Sequence, residues 1–172
     1  MRKIAFVGLL AGLFTLSAFA AESDYPKAEF YGGYQYTRVE DGFNVNGFNF
    51  GATGNFNDYF GITADLGTSF KTVDGVSVKN YTYTFGPQLA LRANKGYTPF
   101  VHALIGGDHF SGSYAGSSGS GNGMAVFAGG GVDINVNRYA AVRVGADWMM
   151  LHAYGSTSSK NFRMPIGIAF KF

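Results

Sequence analysis

From Ala28 to Phe172 the side chains alternate, a bulky apolar residue followed by a small or polar one, over segment after segment. A period of two belongs to β-strands, whose successive side chains leave opposite faces of a sheet. Eight such segments are predicted, over residues 28–38, 47–56, 60–70, 81–92, 99–107, 124–135, 140–151 and a last one running to residue 172. The third displays the pattern plainly. Phe60, Ile62, Leu66 and Phe70 share one face, and Gly61, Thr63, Asp65, Gly67 and Ser69 share the other. The fifth is less regular, with Val101 and Ile105 opposed to Phe100, His102 and Leu104.

What surrounds these strands follows from composition and volume. Charged residues make up only 14% and aromatics 17%, whereas soluble domains carry about a quarter charged residues. No stretch beyond residue 20 reaches the roughly 20 apolar residues of a membrane-spanning helix. A closed barrel is the other structure that satisfies every backbone group in lipid. An eight-stranded barrel has an interior just wide enough for side chains to fill. The bulky face would overpack it, and the face of Gly, Ala, Ser, Thr, Asn and Gln fits. The expected fold is therefore all-β, an eight-stranded antiparallel up-and-down transmembrane β-barrel with its bulky face toward lipid.

The links alternate in length. Long polar links (39–46, 71–80, 108–123, 152–160) follow odd strands, and shorter ones follow even strands. Long outer loops and short periplasmic turns are the outer-membrane pattern, so both termini are expected in the periplasm. Asp74-Gly75 reads as a hairpin tip and Asp41-Gly42 as a turn. The Gly/Ser-rich stretch 111–123 reads as a mobile loop.

The N-terminus carries Arg2 and Lys3, an apolar run over 4–16, and a small-x-small pattern at Ala18-Phe19-Ala20. Residues 1–20 are expected to be a cleaved secretory signal, leaving 21–172 as one barrel domain. The formal charge of +2 comes from that segment, since thirteen basic residues less Arg2 and Lys3 leave eleven, against eleven acidic ones. A neutral domain offers nucleic acid no electrostatic footprint. With no Cys, neither a disulfide framework nor a thiolate site is available.

Charge on the small-residue face defines the candidate site. Glu29, Asp65, Asp133 and Asp147 meet Arg92, Arg143, Arg163 and Lys171 there. Equal numbers of each sign in a narrow interior point to mutual pairing, because a buried charge is costly unless paired. Asp133 with Arg143, and Asp147 with Arg163, fall on adjacent strands at about diagonal register. Tyr31, Phe100, Leu104, Phe127 and Met149 lie on the same face, either as apolar filler or as marks of local bulges. No catalytic, cofactor or metal site is expected. His109-Phe110-Ser111 has the His-x-Ser spacing of an outer-membrane lipid A deacylase, but no orienting carboxylate accompanies it. His102, His109 and His152 are too scattered for a metal. Gly129 to Gly131 lacks the Lys and helix of a phosphate loop.

The chain ends Gly167-Ile168-Ala169-Phe170-Lys171-Phe172. Gly167, Phe170 and Phe172 look like the C-terminal signal that the barrel-assembly machinery reads. With Tyr83-Thr84-Phe85-Gly86-Pro87-Gln88-Leu89, Pro99 to Gly107, Ala128-Gly129-Gly130-Gly131-Val132-Asp133 and Val144-Gly145-Ala146-Asp147-Trp148, residues 21–172 resemble the outer membrane protein β-barrel domain family. That family groups with OmpA/OmpX-like and opacity-type small porins. The resemblance implies a bacterial outer-membrane location, contact with outer-membrane lipid and lipopolysaccharide, passage through the assembly machinery, and a monomer. Its members' roles are diverse. The role expected here is structural or surface interaction through the outer loops. A small diffusion pore, and then a lipid A-modifying enzyme, are the alternatives.

Overall fold

The computed structural model describes residues 25–172 apart from 41, 43, 74, 75, 115, 116 and 154. Its strands are β1 (Ala28–Arg38), β2 (Asn44–Asn55), β3 (Phe60–Val73), β4 (Val76–Ala90), β5 (Tyr97–Tyr114), β6 (Ser117–Asn135), β7 (Ala140–Ala153) and β8 (Ser156–Lys171). Each pairs antiparallel with its sequence neighbours, and β1 closes on β8 into a barrel. Closure leaves no sheet edge, which is what a sheet needs to cross hydrocarbon. The seam is tied at its end by Ala28 N donating to Phe172 O at 3.1 Å and Phe172 N donating to Ala28 O at 2.8 Å.

Both described termini and the three short turns gather at one end, called here the terminal end. Each turn is built on an asparagine. Asn57 Oδ1 accepts from the backbone N–H of Tyr59 and Phe60, and Asn137 Oδ1 from Tyr139 and Ala140. Asn94 Oδ1 accepts from Gly96. A short amide side chain that mimics a backbone turn lets a strand reverse in a few residues.

The outward face is the bulky one. Ile62, Leu66, Leu89, Val101, Ile105, Ile166 and Ile168 are exposed on the outside of the barrel. Exposed aromatics flank them: Phe56, Tyr59, Tyr97, Tyr139 and Phe172 toward the terminal end, and Phe70, Tyr81, Trp148 and Phe162 toward the other. An apolar band between two aromatic girdles fits a bilayer of hydrocarbon with polar interfaces. The inner face holds the small and polar residues. Gly33 and Gly167 stand opposite each other across the seam. A Cβ on Gly167 would lie 2.2 Å from Gly32 O, so only glycine permits this backbone approach.

The strands run further than the alternation predicts at the end opposite the termini, the hairpin end. β5 and β6 continue as a paired ladder through Ser111↔Ser120 to Tyr114↔Ser117. The stretch 111–123 is thus mostly strand rather than a loop, and most of 71–80 and 152–160 is strand as well. A hairpin above the bilayer has no lipid face and needs no apolar alternation, while ladder hydrogen bonds still hold it. Gly42 does sit in a turn, at φ +78° with its N–H on Val39 O at 3.0 Å. Asp41, Asp74, Gly75 and the signal segment 1–20 lie outside the described residues, although Val73 and Val76 pair on either side of the expected tip.

Candidate functional site

All eight charged residues expected in the lumen point inward, and the barrel gathers them into two clusters. The first lies toward the terminal end. Arg143 binds Asp133 with two N–H groups, Nε to Oδ1 at 2.7 Å and Nη2 to Oδ2 at 2.9 Å. Its Nη2 also reaches Glu29 Oε2 at 2.8 Å. Arg92 takes the other Glu29 oxygen at 2.6 Å, and Lys171 lies 3.1 Å from Asp133. Asn55 donates to Glu29 at 3.1 Å and Lys171 donates to Asn135 at 2.7 Å. The Arg143 guanidinium is sandwiched between the rings of Tyr31 and Phe100, 4.5 and 4.6 Å from their centroids.

The second cluster sits deeper. Arg163 donates to Asp147 Oδ2 through Nε at 2.8 Å and Nη2 at 2.6 Å, and to Asp65 Oδ1 through Nη1 at 2.6 Å. Tyr31 Oη donates to Asp65 at 2.9 Å. His102 Nε2 lies 2.8 Å from Asp147, and Phe127 stacks 4.6 Å beneath the Arg163 guanidinium. Glu29, Asp65, Asp133, Asp147 and Arg163 each expose 1% or less. Charges this deeply buried persist only because every one is paired.

Three details depart from the sequence expectation. Asp133↔Arg143 and Asp147↔Arg163 are directly opposed rather than diagonal, which is why each arginine meets its acid with two N–H groups. Tyr31 and Phe100 do more than fill space, since they cover the faces of Arg143, and Tyr31 completes the bonding of Asp65. His102 was not expected in the network. Its position on the inward face of β5, opposite Gly129, which is in turn opposite Asp147, is the signal that would have found it. The buried group Leu104, Ala125, Phe127 and Met149 caps the clusters on the hairpin side, and no register shift accompanies any of these residues below Met149.

The clusters divide the lumen. Among Asp65, His102, Arg143, Asp147 and Arg163 the residual void is about 20 Å³, room for about one water. At the hairpin end lies a cavity of about 400 Å³ with apolar walls, including Val39, Val45, Leu151 and Ala153. At the terminal end a vestibule of about 500 Å³ is lined by Arg92, Lys95, Arg138 and Lys171 among others.

The other candidate residues lie apart from the lumen. His109 and Ser111 belong to the outward face of β5, and His109 Nδ1 lies 2.7 Å from Asn122 Oδ1. Phe170 and Phe172 are on the lipid face of β8, where Phe172 meets Phe30 edge-on at 6.0 Å. At the hairpin rim, Glu40 ties the β1–β2 link to β8. Its carboxylate accepts from Ser159 N at 3.2 Å and lies 3.5 Å from Lys160 Nζ. A hydrogen bond from the Ser158 side chain holds that carboxyl below its ordinary pKa.

A closed antiparallel barrel, apolar outside and ion-paired inside, defines an integral β-barrel of the bacterial outer membrane. The family model for the outer membrane protein beta-barrel domain matches residues 6–171, and the chain belongs to that family. Solved structures share the fold at low identity. The attachment invasion locus protein Ail of Yersinia pestis is 21% identical over 86% of this chain and 99% of its own, with a TM-score of 0.63. Neisserial surface protein A is 14% identical over 84% and 96%, with a TM-score of 0.68. OprG from Pseudomonas aeruginosa is 13% identical over 86% and 97%, with a TM-score of 0.59. No curated protein sequence matches the chain.

Proposed function

We infer that the protein is a sealed outer-membrane barrel that holds its hairpin end outward as an interaction surface. The observation that carries this reading is the lumen itself, in which every acid of the two ion clusters is paired and the void among Asp65, Arg143, Asp147 and Arg163 is only about 20 Å³. A barrel without a passage does its work at its ends. The hairpin end, with β5 and β6 of 18 and 19 residues, rises well above the roughly 9–11 residues a strand needs to span a bilayer.

In this reading the terminal end faces the periplasm and residues 1–20 are removed on export. Gly167, Phe170 and Phe172 serve the barrel-assembly machinery, and the mature protein is a monomer surrounded by lipid and lipopolysaccharide. It catalyses no reaction, in keeping with the bond from His109 to Asn122. The two end cavities favour a second reading, a small diffusion pore whose vestibules they would be, and the clusters between them oppose it.

The test of the surface role is a hairpin exchange. Residues 112–119 are replaced by a two-residue Asn-Gly turn, and cells are scored for adhesion to coated surfaces and for outer-membrane yield of the protein. Adhesion that falls while yield holds is the expected result. Adhesion equal in cells with the wild-type chain, the short hairpin and no barrel at all would overturn the surface role.

A further inference from the structure

The ion clusters leave only two donor or ring nitrogens unfilled, Arg92 Nε and His102 Nδ1, whereas the cavity at the hairpin end leaves acceptor oxygens unfilled. Asp108 on β5 is 4% exposed and lines this cavity. It takes a side-chain hydrogen bond from Asn80, and its Oδ1 has no partner. Asn80 lines the cavity too, and its Oδ1, buried like the Asp108 oxygen, also has no partner. The amide orientation is consistent, since the NH₂ group must face the carboxylate and the carbonyl then faces away. Thr37 Oγ1, on β1 and 5% exposed, is a third buried polar atom with no partner on the same cavity.

The cation that acts on Asp108 is its chain neighbour His109, which belongs to the outward face of β5 and does not line the cavity. The cross-strand partners of Asp108 are Thr82 and Gly123. Arg163 lines the cavity floor, but its guanidinium is already shared between Asp65 and Asp147. A buried carboxylate and an amide oxygen, both lacking donors, ask for N–H groups and positive charge. The remaining walls, among them Val39, Val45 and Leu151, ask for hydrocarbon. A volume of about 400 Å³ is in the range of small-molecule sites.

We propose that this cavity binds a small organic cation, an ammonium on an apolar body, with the ammonium held by Asp108 and Asn80 and the body against the valine and leucine walls. An ammonium brings three N–H donors and no acceptor, the complement of two unfilled oxygens. Thr37, across the lumen, takes a second polar group on the ligand. The site does not depend on a surface role for the hairpins, because Asp108, Asn80 and Thr37 line the lumen cavity rather than the outside of the barrel.

The experiment is an amide NMR titration of the barrel in phospholipid nanodiscs, with benzylammonium as probe and benzoate and benzyl alcohol as controls. Benzylammonium is expected to give saturable shifts centred on residues 80–82 and 108–110, with benzoate giving none there and benzyl alcohol binding more weakly. Asp108→Asn keeps the shape and removes the charge, and it should weaken benzylammonium binding at least roughly tenfold. Ala153→Trp, which fills the cavity from β7, should abolish the shifts and provides a second variant if Asp108→Asn misfolds. Equal shifts from benzylammonium and benzoate, unchanged affinity in folded Asp108→Asn, or no saturable shift at millimolar probe would each overturn the proposal.

Discussion

The two halves of the lumen are built on opposite principles. Toward the terminal end, every acid has at least one cationic partner within 3.1 Å, and aromatic rings close over Arg143. Toward the hairpin end, the wall opens into a cavity and leaves Asp108, Asn80 and Thr37 with unfilled bonding atoms. One barrel, with one strand order and one alternation, thus holds a solid plug and an open cup. The difference teaches that period two decides which residues face inward. What those residues do is decided by the sum of their volumes and charges at each level.

If the plug is as coupled as its geometry implies, removing one member should cost far more than trimming the cup. Arg163→Ala leaves Asp65 with Tyr31 and Asp147 with His102, and should cost about 3–5 kcal/mol of stability. The measurement is urea unfolding of the barrel refolded in detergent. Arg143→Ala should cost less, because Glu29 keeps Arg92 and Asp133 keeps Lys171. Equal losses would mean that the two clusters are not separable units.

The same strand offers the converse test. Ile168 is one position past Gly167 and faces lipid between the aromatic girdles. Ile168→Arg should cost about 2–4 kcal/mol if the site is near the midplane, on a strand where Arg163 is stabilising from the other face. A neutral outcome would mean that the outward face of β8 is not in hydrocarbon. In the cup, Val45→Ala removes two methyl groups from a half-buried side chain that already borders a void, and should cost under about 1 kcal/mol. A loss matching Arg163→Ala would show the cavity to be packed shut in solution.

The orientation of side chains was legible because hydrocarbon outside and a narrow lumen inside enforce alternation wherever the strand crosses the bilayer. That is why β1 matches its expected bounds and why the eight charges assigned to the small-residue face lie there, whereas Asp108, which also lines the lumen, fell within the expected loop 108–123. The hairpin extensions were not legible, since 111–123 crosses no bilayer and its Gly and Ser residues carry no preference for either face. His102 was readable in parity but not in role, because its partner Asp147 lies two strands away. The cup was not legible at all. It exists because the residues facing each other there leave volume unfilled, a property of the closed barrel rather than of any one segment.

The smallest effect is expected at the rim. Glu40 has a folded pKa held below the ordinary value, first by the bond from Ser158. The sign follows directly: its tie to Ser159 and Lys160 is fully present above the ordinary carboxylate pKa and is lost as pH falls through the lowered one. Glu40→Gln should leave the urea midpoint unchanged and speed amide exchange at Ser159. In the wild type the same exchange should quicken only on acidification. Slow exchange in both forms at every pH would remove Glu40 from the hairpin contacts.

Planar-bilayer recording of the refolded full barrel tests the sealed lumen most directly. The expected trace has no stable conductance steps for the wild type, with steps or bursts appearing in Arg163→Ala as the plug loosens. Large, long-lived steps from the wild-type protein would contradict the plug and return the diffusion pore as the better reading.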